Sequence, residues 1–246
     1  MINRRDFLKT AGLGAAAIAV DPFGAFDASA KIRKESKGAG RKINLALVGI
    51  GHRGNENARE VAKTGMANVV AICDVNMGAP HPREGMGMFP EAKQFKDFRK
   101  MFDEMGSAFE AVLVSTPDFS HFPIAMRAIK EGKHVYCEKP MTRTIGEGQK
   151  VVEAVNKYGR IFRLDTWFRF KDTFYGLGTT VEPLKKLVQS GLLGWPLTVR
   201  ISGATGFTWK FFWTGKENLV PQPVPAELDY DMWLGPAPYK PYNPHR

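Results

Sequence analysis

The sequence has little cysteine and no long apolar run, and each scarcity narrows what the chain can be. Only Cys73 and Cys137 occur among 246 residues, too few for a disulfide framework to replace a hydrophobic core. The apolar run near the start, Ala11 to Val20, falls far short of the roughly 20 residues needed to cross a bilayer, so no stable membrane span is expected. The net charge of +10 is spread along the chain. It forms no basic run with interleaved aromatics, so no nucleic-acid partner is expected. No metal site is expected either. What is present is a hydrophobic share of 43%, enough for one full domain plus part of another.

The stretch that organises the chain runs from Ile43 to Asp74. Residues 43–50, INLALVGI, are nearly all apolar, as in a parallel strand covered on both faces. Gly49, Gly51 and Gly54 then form G-x-G-x-x-G, with His52 and Arg53 between them at the mouth of a helix. The first glycine permits a sharp turn, the second a close approach of pyrophosphate, and the third tight packing of helix on strand. Asp74 stands 20 residues past Gly54, after the apolar run Val69 to Cys73, where a carboxylate meets ribose hydroxyls. That carboxylate repels a 2′-phosphate, and neither Val75 nor Asn76 supplies the arginine that NADP favours. The expected cofactor is NAD, with NADP second.

Strand and helix alternate onward. Met77 to Pro90 is expected as an irregular loop, Lys93 to Phe95 as a third strand, and Phe98 to Met105 as a helix. A fourth strand spans Glu110 to Ser115, then a helix Phe122 to Glu131. The fifth strand is His134 to Cys137, followed by a helix Ile145 to Tyr158 and a sixth strand from Arg160 to Leu164. The fold class is α/β, a doubly wound parallel Rossmann sheet with ligands at the carboxyl ends of its strands, joined to an incomplete second α+β domain. In a 3-2-1-4-5-6 sheet three strand spacings of roughly 4.8 Å separate Cys73 from Cys137, so both thiols are expected free.

Two further clusters close strands. In Ser115-Thr116-Pro117-Asp118-Phe119-Ser120-His121 the proline fixes the backbone and Thr116 can present its hydroxyl to the cofactor. His121 caps the helix, bonds the loop or touches substrate; the sequence leaves these open. In Gly132 to Pro140 the Glu138-Lys139 pair is expected to project into the nucleotide crevice.

Residues 1–30 are an expected export signal: Asn3-Arg4-Arg5-Asp6-Phe7-Leu8-Lys9 is a twin-arginine pattern, the apolar run follows, and Ala28-Ser29-Ala30 suits a signal peptidase. This implies the twin-arginine (Tat) machinery as partner and a periplasmic location. Residues 31–41 are a polar linker.

GIGHRG, AICDVN, STPDFSH and GKHVYCEKP, in this order and spacing, resemble the Gfo/Idh/MocA oxidoreductases, the family of glucose-fructose oxidoreductase and inositol dehydrogenase. LKKLVQSGLLG in a helix Val181 to Gly194, and Trp233-Leu234-Gly235-Pro236-Ala237-Pro238, resemble the exported members. The resemblance implies an NAD-binding domain over residues 42–165 and a partial substrate domain over 166–246. It makes Gly49, Gly51 and Gly54 the phosphate loop, Asp74 the ribose acid, Thr116 and Pro117 the nicotinamide-side loop, and Glu138, Lys139 and Pro140 the EKP motif. In the family that lysine points at substrate oxygen and nicotinamide, where an ammonium can hydrogen-bond the reacting hydroxyl.

The expected activity is NAD-dependent hydride transfer at a secondary hydroxyl of a sugar, cyclitol or sugar derivative, with Lys139 relaying the proton and His121 lining the substrate side. Alternatives are an NAD-retaining glycoside hydrolase, against which the intact EKP motif counts, and a non-catalytic nucleotide- or sugar-binding protein. No second acid-base segment of the family follows Asp165, only one expected strand, Leu197 to Ser202, so the chain reads as C-terminally truncated. Phe207, Trp209, Phe211, Phe212 and Trp213, with Trp167, Phe168 and Phe170, read as core or interface ahead of a sugar-stacking face. Seven prolines from Pro221 onward imply an extended, wrapping tail without regular structure, which could pack on a neighbouring subunit in a homo-oligomer.

Overall fold

In a computed structural model that describes residues 40–166, 181–198, 200 and 219–245, strand β1 (Ile43–Val48) sits at the centre of the sheet. Its alternate side chains feed two cores. Leu45 and Leu47 pack on one face with Ile50, Ala58 and Ile72. Ala46 and Val48 pack on the other with Phe109, Val112 and Ile129. Both faces being buried explains the nearly unbroken apolar run.

Around β1 run β2 (Ala67–Cys73), β3 (Lys93–Phe95), β4 (Ala111–Val114), β5 (His134–Cys137) and β6 (Phe162–Leu164), all parallel in the order β3-β2-β1-β4-β5-β6. The six-stranded doubly wound sheet expected from the sequence is therefore present. Cys73 and Cys137 end strands three places apart and are free and buried. Burial, then the charge of Glu138, pushes the Cys137 thiol up to about 12.

The helices are α1 (Arg53–Thr64), α2 (Pro80–Gly87), α3 (Phe98–Met105), α4 (Asp118–Lys130), α5 (Ile145–Tyr158), α6 (Val181–Gln189) and the short α7 (Tyr230–Leu234). Their ends follow capping rules. Asp97 accepts from Arg99 N–H at the start of α3, and Thr144 with Glu147 forms a capping box on α5. Gly65 and Gly159 close α1 and α5 in the left-handed conformation.

Three expectations are corrected. Residues 77–90 are not an irregular loop, because α2 lies inside them. Its prolines fall in the first turn, where amide groups have no helical partner, and Gly85 faces Ile50 so closely that a Cβ would lie 2.5 Å from Cγ1. Helix α4 begins four residues earlier than Phe122, with Pro117 at its N-cap and Pro123 tolerated inside it. Helix α6 stops at Gln189 rather than Gly194, with Gly191 at φ +72° just beyond.

The export signal, residues 31–39 of the linker and the aromatic cluster lie outside the described residues. So do residues 199, 201 and 202 of the expected strand, while Leu197, Thr198 and Arg200 are described outside any strand. Among the described residues no helix is long and apolar enough to cross a membrane.

Candidate nucleotide site

The turn after β1 is built by glycine where nothing else fits. Gly49 has φ +81°, and a Cβ on it would lie 2.7 Å from the Ser115 carbonyl carbon. A Cβ on Gly54 would lie 2.2 Å from the Gly49 oxygen, which brings α1 hard against the turn. Around Gly51 there is room: the nearest atoms to a Cβ would be Pro82 at 3.8 Å and Asp74 Oδ2 at 4.0 Å. His52 caps α1 at φ 40°, exposed, with its ring 4.0 Å from that of His81. Asp74 is held at both oxygens, Oδ2 accepting from Ile50 N–H and Oδ1 from Asn76 N–H, each at 2.9 Å. Each oxygen keeps a lone pair for a ribose hydroxyl.

These residues line one cleft of about 630 Å³ at the carboxyl ends of β1, β2 and β4. Gly49, Gly51, His52, Arg53, Asp74, Thr116 and Pro117 all border it. Among its lining groups, Thr116 Oγ1 and Asn76 Oδ1 are buried with no hydrogen-bond partner. An orphaned hydroxyl, a carboxylate with spare lone pairs and open space over Gly51 fit the ribose and phosphate groups of NAD.

The EKP end is arranged differently from what its spacing suggested. Lys139 and Pro140 are exposed, joined by a cis peptide bond, and neither borders the cleft. Glu138 does not project into the crevice either: it is 5% exposed. Its Oε1 accepts from Arg53 Nε at 2.6 Å and from Asn57 Nδ2 at 3.0 Å, and its Oε2 accepts from Lys139 N–H at 3.1 Å. Arg53 also donates to Asp165 at 3.1 Å and Glu56 at 2.7 Å. Its guanidinium is thus directed to three carboxylates, while the residue still borders the cleft. Burial opposes the Arg53 charge, but the bonds from Glu138, Glu56 and Asp165 outweigh it and hold arginine above its ordinary value.

Of the readings left open for His121, the geometry matches the loop bond and not the substrate contact. The histidine is 1% exposed, with Nδ1 2.7 Å from the Pro140 carbonyl oxygen and Nε2 2.8 Å from that of Thr116. Two buried side chains therefore fasten the Lys139 loop to the cleft: Glu138 through Arg53 to the glycine turn, and His121 through the Pro140 carbonyl to the Thr116 loop.

Asp165, Asn57 and Tyr136 complete this network and were not singled out by the sequence. Asp165 closes β6, its N–H donating to Cys137 O at 2.7 Å. Its carboxyl is raised by burial, then by its hydrogen bond to Glu138 and that group's charge. Burial pushes Glu138 the same way, but bonds from Asp165, Arg53, Asn57 and the Lys139 N–H bring it below its ordinary value. Of the two carboxyls, Asp165 is thus the one that binds a proton more readily, and Glu138, bonded to Arg53, the one that keeps its charge. Tyr136 is raised to about 12 by burial and then by Asp165. A signal for Asp165 existed, since it is an acid at a strand's carboxyl end, as Asp74 and Glu138 are.

Residues 219–245 form the remaining wall, with Leu228, Met232, Trp233 and Tyr242 bordering the cleft. The tail contains helix α7 (Tyr230–Leu234) and packs against the NAD-binding domain of the same chain, which corrects the expectation of a tail without regular structure.

Over residues 43–166 the chain matches the family model described as oxidoreductase family, NAD-binding Rossmann fold, and over 177–246 that of the same family's C-terminal alpha/beta domain. Residues 1–20 match the twin-arginine translocation pathway signal sequence. Inositol 2-dehydrogenase of Salmonella paratyphi B is 30% identical over 200 residues, covering 80% of this chain and 56% of the relative. A glycosyl hydrolase family 109 protein of Shewanella pealeana is 24% identical, covering 88% of this chain and 52% of its own length. The WlbA dehydrogenase from Bordetella pertussis, solved in complex with NADH and UDP-GlcNAcA, is 26% identical with TM-score 0.53, covering 63% of this chain and 44% of that one. The chain spans about half the length of the curated relatives it matches.

Proposed function

The chain belongs to the Gfo/Idh/MocA oxidoreductase family, and from that premise we propose that it exchanges a hydride between NAD and a secondary hydroxyl of a sugar, cyclitol or sugar derivative. The observation that carries this reading is the convergence of the Gly51 opening, the Asp74 carboxylate and the unpartnered Thr116 hydroxyl on one cleft. When bound, NAD supplies the hydride chemistry. Gly49, Gly51 and Gly54 shape the phosphate turn, Asp74 takes the ribose, and Thr116 and Pro117 border the cofactor from the β4 side. Lys139, exposed and outside the cleft lining in the free chain, is assigned by its place in the EKP motif to hold the reacting oxygen and relay its proton once substrate is bound. Arg53, Glu138, Pro140 and His121 act as positioning residues that fix where the Lys139 backbone stands. Its twin-arginine signal carries the folded chain to the periplasm, with nucleotide acquired beforehand in the cytoplasm.

The test is to denature the purified protein, identify any released nucleotide by mass spectrometry, and screen sugars and cyclitols for NADH formation with wild type and Lys139→Met. NAD or NADH in wild type and variant, with turnover in wild type alone, is the expected result. A folded protein that neither contains nor takes up NAD overturns the reading.

The Shewanella relative favours a second reading: hydride would pass from a glycoside to retained NAD, elimination would expel the aglycone, water would add to the unsaturated sugar, and return of the hydride would regenerate NAD and free the sugar. That reading requires free sugar to appear with no net NADH.

A further inference from the structure

We infer that residues 219–245 are a strap that closes the adenosine half of the NAD cleft and supplies the outer wall of the adenine subsite. The inference rests on the NAD reading and adds an element to it, since no glycine motif or strand-end acid reaches this far along the chain.

The strap is attached beside the ribose acid. Leu228 forms an antiparallel bridge with Asn76, and Asp229 N–H donates to the Val75 carbonyl at 2.8 Å. These anchors lie one and two residues beyond Asp74, on the half of a doubly wound sheet that takes the adenosine. The fit is close at Gly78, where a Cβ would lie 2.4 Å from Glu227 Cβ. From there the strap crosses to the start of α4. Trp233 meets Phe119 edge-on at 6.3 Å, and Gly235 lies so near Ser120 that a Cβ would stand 3.3 Å from Oγ. It therefore spans the two loops, after β2 and after β4, between which an adenine must enter.

Its own side chains make it a fixed wall. Tyr230 is 8% exposed, stacks on Trp233 at 5.8 Å and 17°, meets Tyr242 edge-on at 5.3 Å, and donates its hydroxyl to the Lys240 carbonyl at 2.8 Å. The 6% exposed Asn243 ties its side-chain amide to the Val220 carbonyl at 2.8 Å. Leu228, Met232 and Trp233 line the cleft together with Phe98 and Ile124, apolar surface suited to a flat ring. At its edge the buried Asn76 Oδ1 lacks a donor. The adenine amino group is such a donor, and nothing in a phosphate or a nicotinamide ribose needs an apolar surface of this kind.

The test is calorimetric titration of the full chain with AMP, ADP-ribose and NAD, on wild type, Trp233→Ala and Gly78→Ala. The first variant removes part of the wall. The second displaces the strap from a position that does not border the cleft. Each should weaken all three ligands by the same factor, about tenfold for loss of one aromatic surface against a base. In the wild type, AMP alone should slow amide exchange across residues 228–243. Unchanged affinities in a folded variant, a loss for NAD that spares AMP, or no protection of 228–243 would each overturn the strap. A wild-type chain that binds none of the three would overturn the NAD reading itself, and the strap with it.

Discussion

The two ends of the site are built by different means. At the glycine turn the constraints are set by nearby backbone atoms: Gly54 against the Gly49 carbonyl, Gly49 against Ser115, and the Asp74 carboxylate on the N–H groups of Ile50 and Asn76. At the EKP end they are side chains bonding across the sheet. Arg53 reaches Glu138 and Asp165, and Asn57 reaches Glu138, over 85, 112 and 81 residues of sequence. A steric requirement admits one residue type and is all-or-none. A polar network can be rebalanced by a compensating change elsewhere, and this difference is open to experiment.

The largest effect is expected at the steric end. Gly54→Val puts branched carbon where the Gly49 oxygen already stands 2.2 Å from a Cβ position. It should destabilise the fold by about 3 kcal/mol, the upper end for overpacking, as read by chemical denaturation. No second-site change in the EKP network should relieve it. Arg53→Leu comes next: it leaves Glu138 and Asp165 without their cation and should cost about 2 kcal/mol, below the usual range for a broken buried pair because Arg53 is 37% exposed. Adding Asp165→Asn to Arg53→Leu should restore part of that loss. If the two changes are strictly additive, the network is not the coupled unit described above.

The same contrast explains what could be read from the chain. The order of the strands, the Gly49 turn and Asp74 were legible because each rests on local pattern: apolar runs, a glycine spacing, an acid at a strand end. Helix α2 was not, because its Pro80, Pro82 and Gly85 count as helix breakers until one sees the prolines in the first turn and Ile50 filling the space beside Gly85. For His121 a bond to its own loop was among the readings left open, but its second partner was not legible, because the Thr116 and Pro140 carbonyls come together only once β4 and β5 are neighbours. The strap was invisible for the same reason: a run of prolines announces extended chain but not the surface it lies on. Local chemistry was legible, and contacts between distant side chains were not.

The pH dependence of stability separates the members of the network. Asp165 is raised above its ordinary 3.8, first by burial and then by Glu138. As pH climbs past 3.8 the unfolded chain releases this proton while the folded chain keeps it, so stability falls until the folded group also ionises. Glu138, lowered from 4.5 because its hydrogen bonds outweigh burial, acts with the opposite sign and costs stability as pH falls through its folded value. Asp165→Asn should abolish the loss on the alkaline side of 3.8 and leave the acid-side loss in place. Denaturation midpoints measured from pH 3 to pH 8 check this, and an unchanged alkaline slope would assign it to other groups.

Thr116→Val should have the smallest effect on the fold and the most selective effect on the site. The Thr116 hydroxyl is buried without a partner, so in the free protein it contributes desolvation cost and no bond. Valine keeps the branched shape and removes the oxygen, and the free protein should be as stable as wild type or up to about 1 kcal/mol more stable. With NAD present the sign reverses if the hydroxyl is there to meet the cofactor: affinity should fall by about 1 kcal/mol, the worth of one hydrogen bond. Gly54→Val damages fold and binding together, and Arg53→Leu damages the fold and the position of Lys139. Thr116→Val alone should move stability and affinity in opposite directions, which is the signature of a group kept for its ligand and not for the fold. Equal affinity in the valine variant would leave the hydroxyl without a role in the site and remove Thr116 from the proposed cofactor contacts.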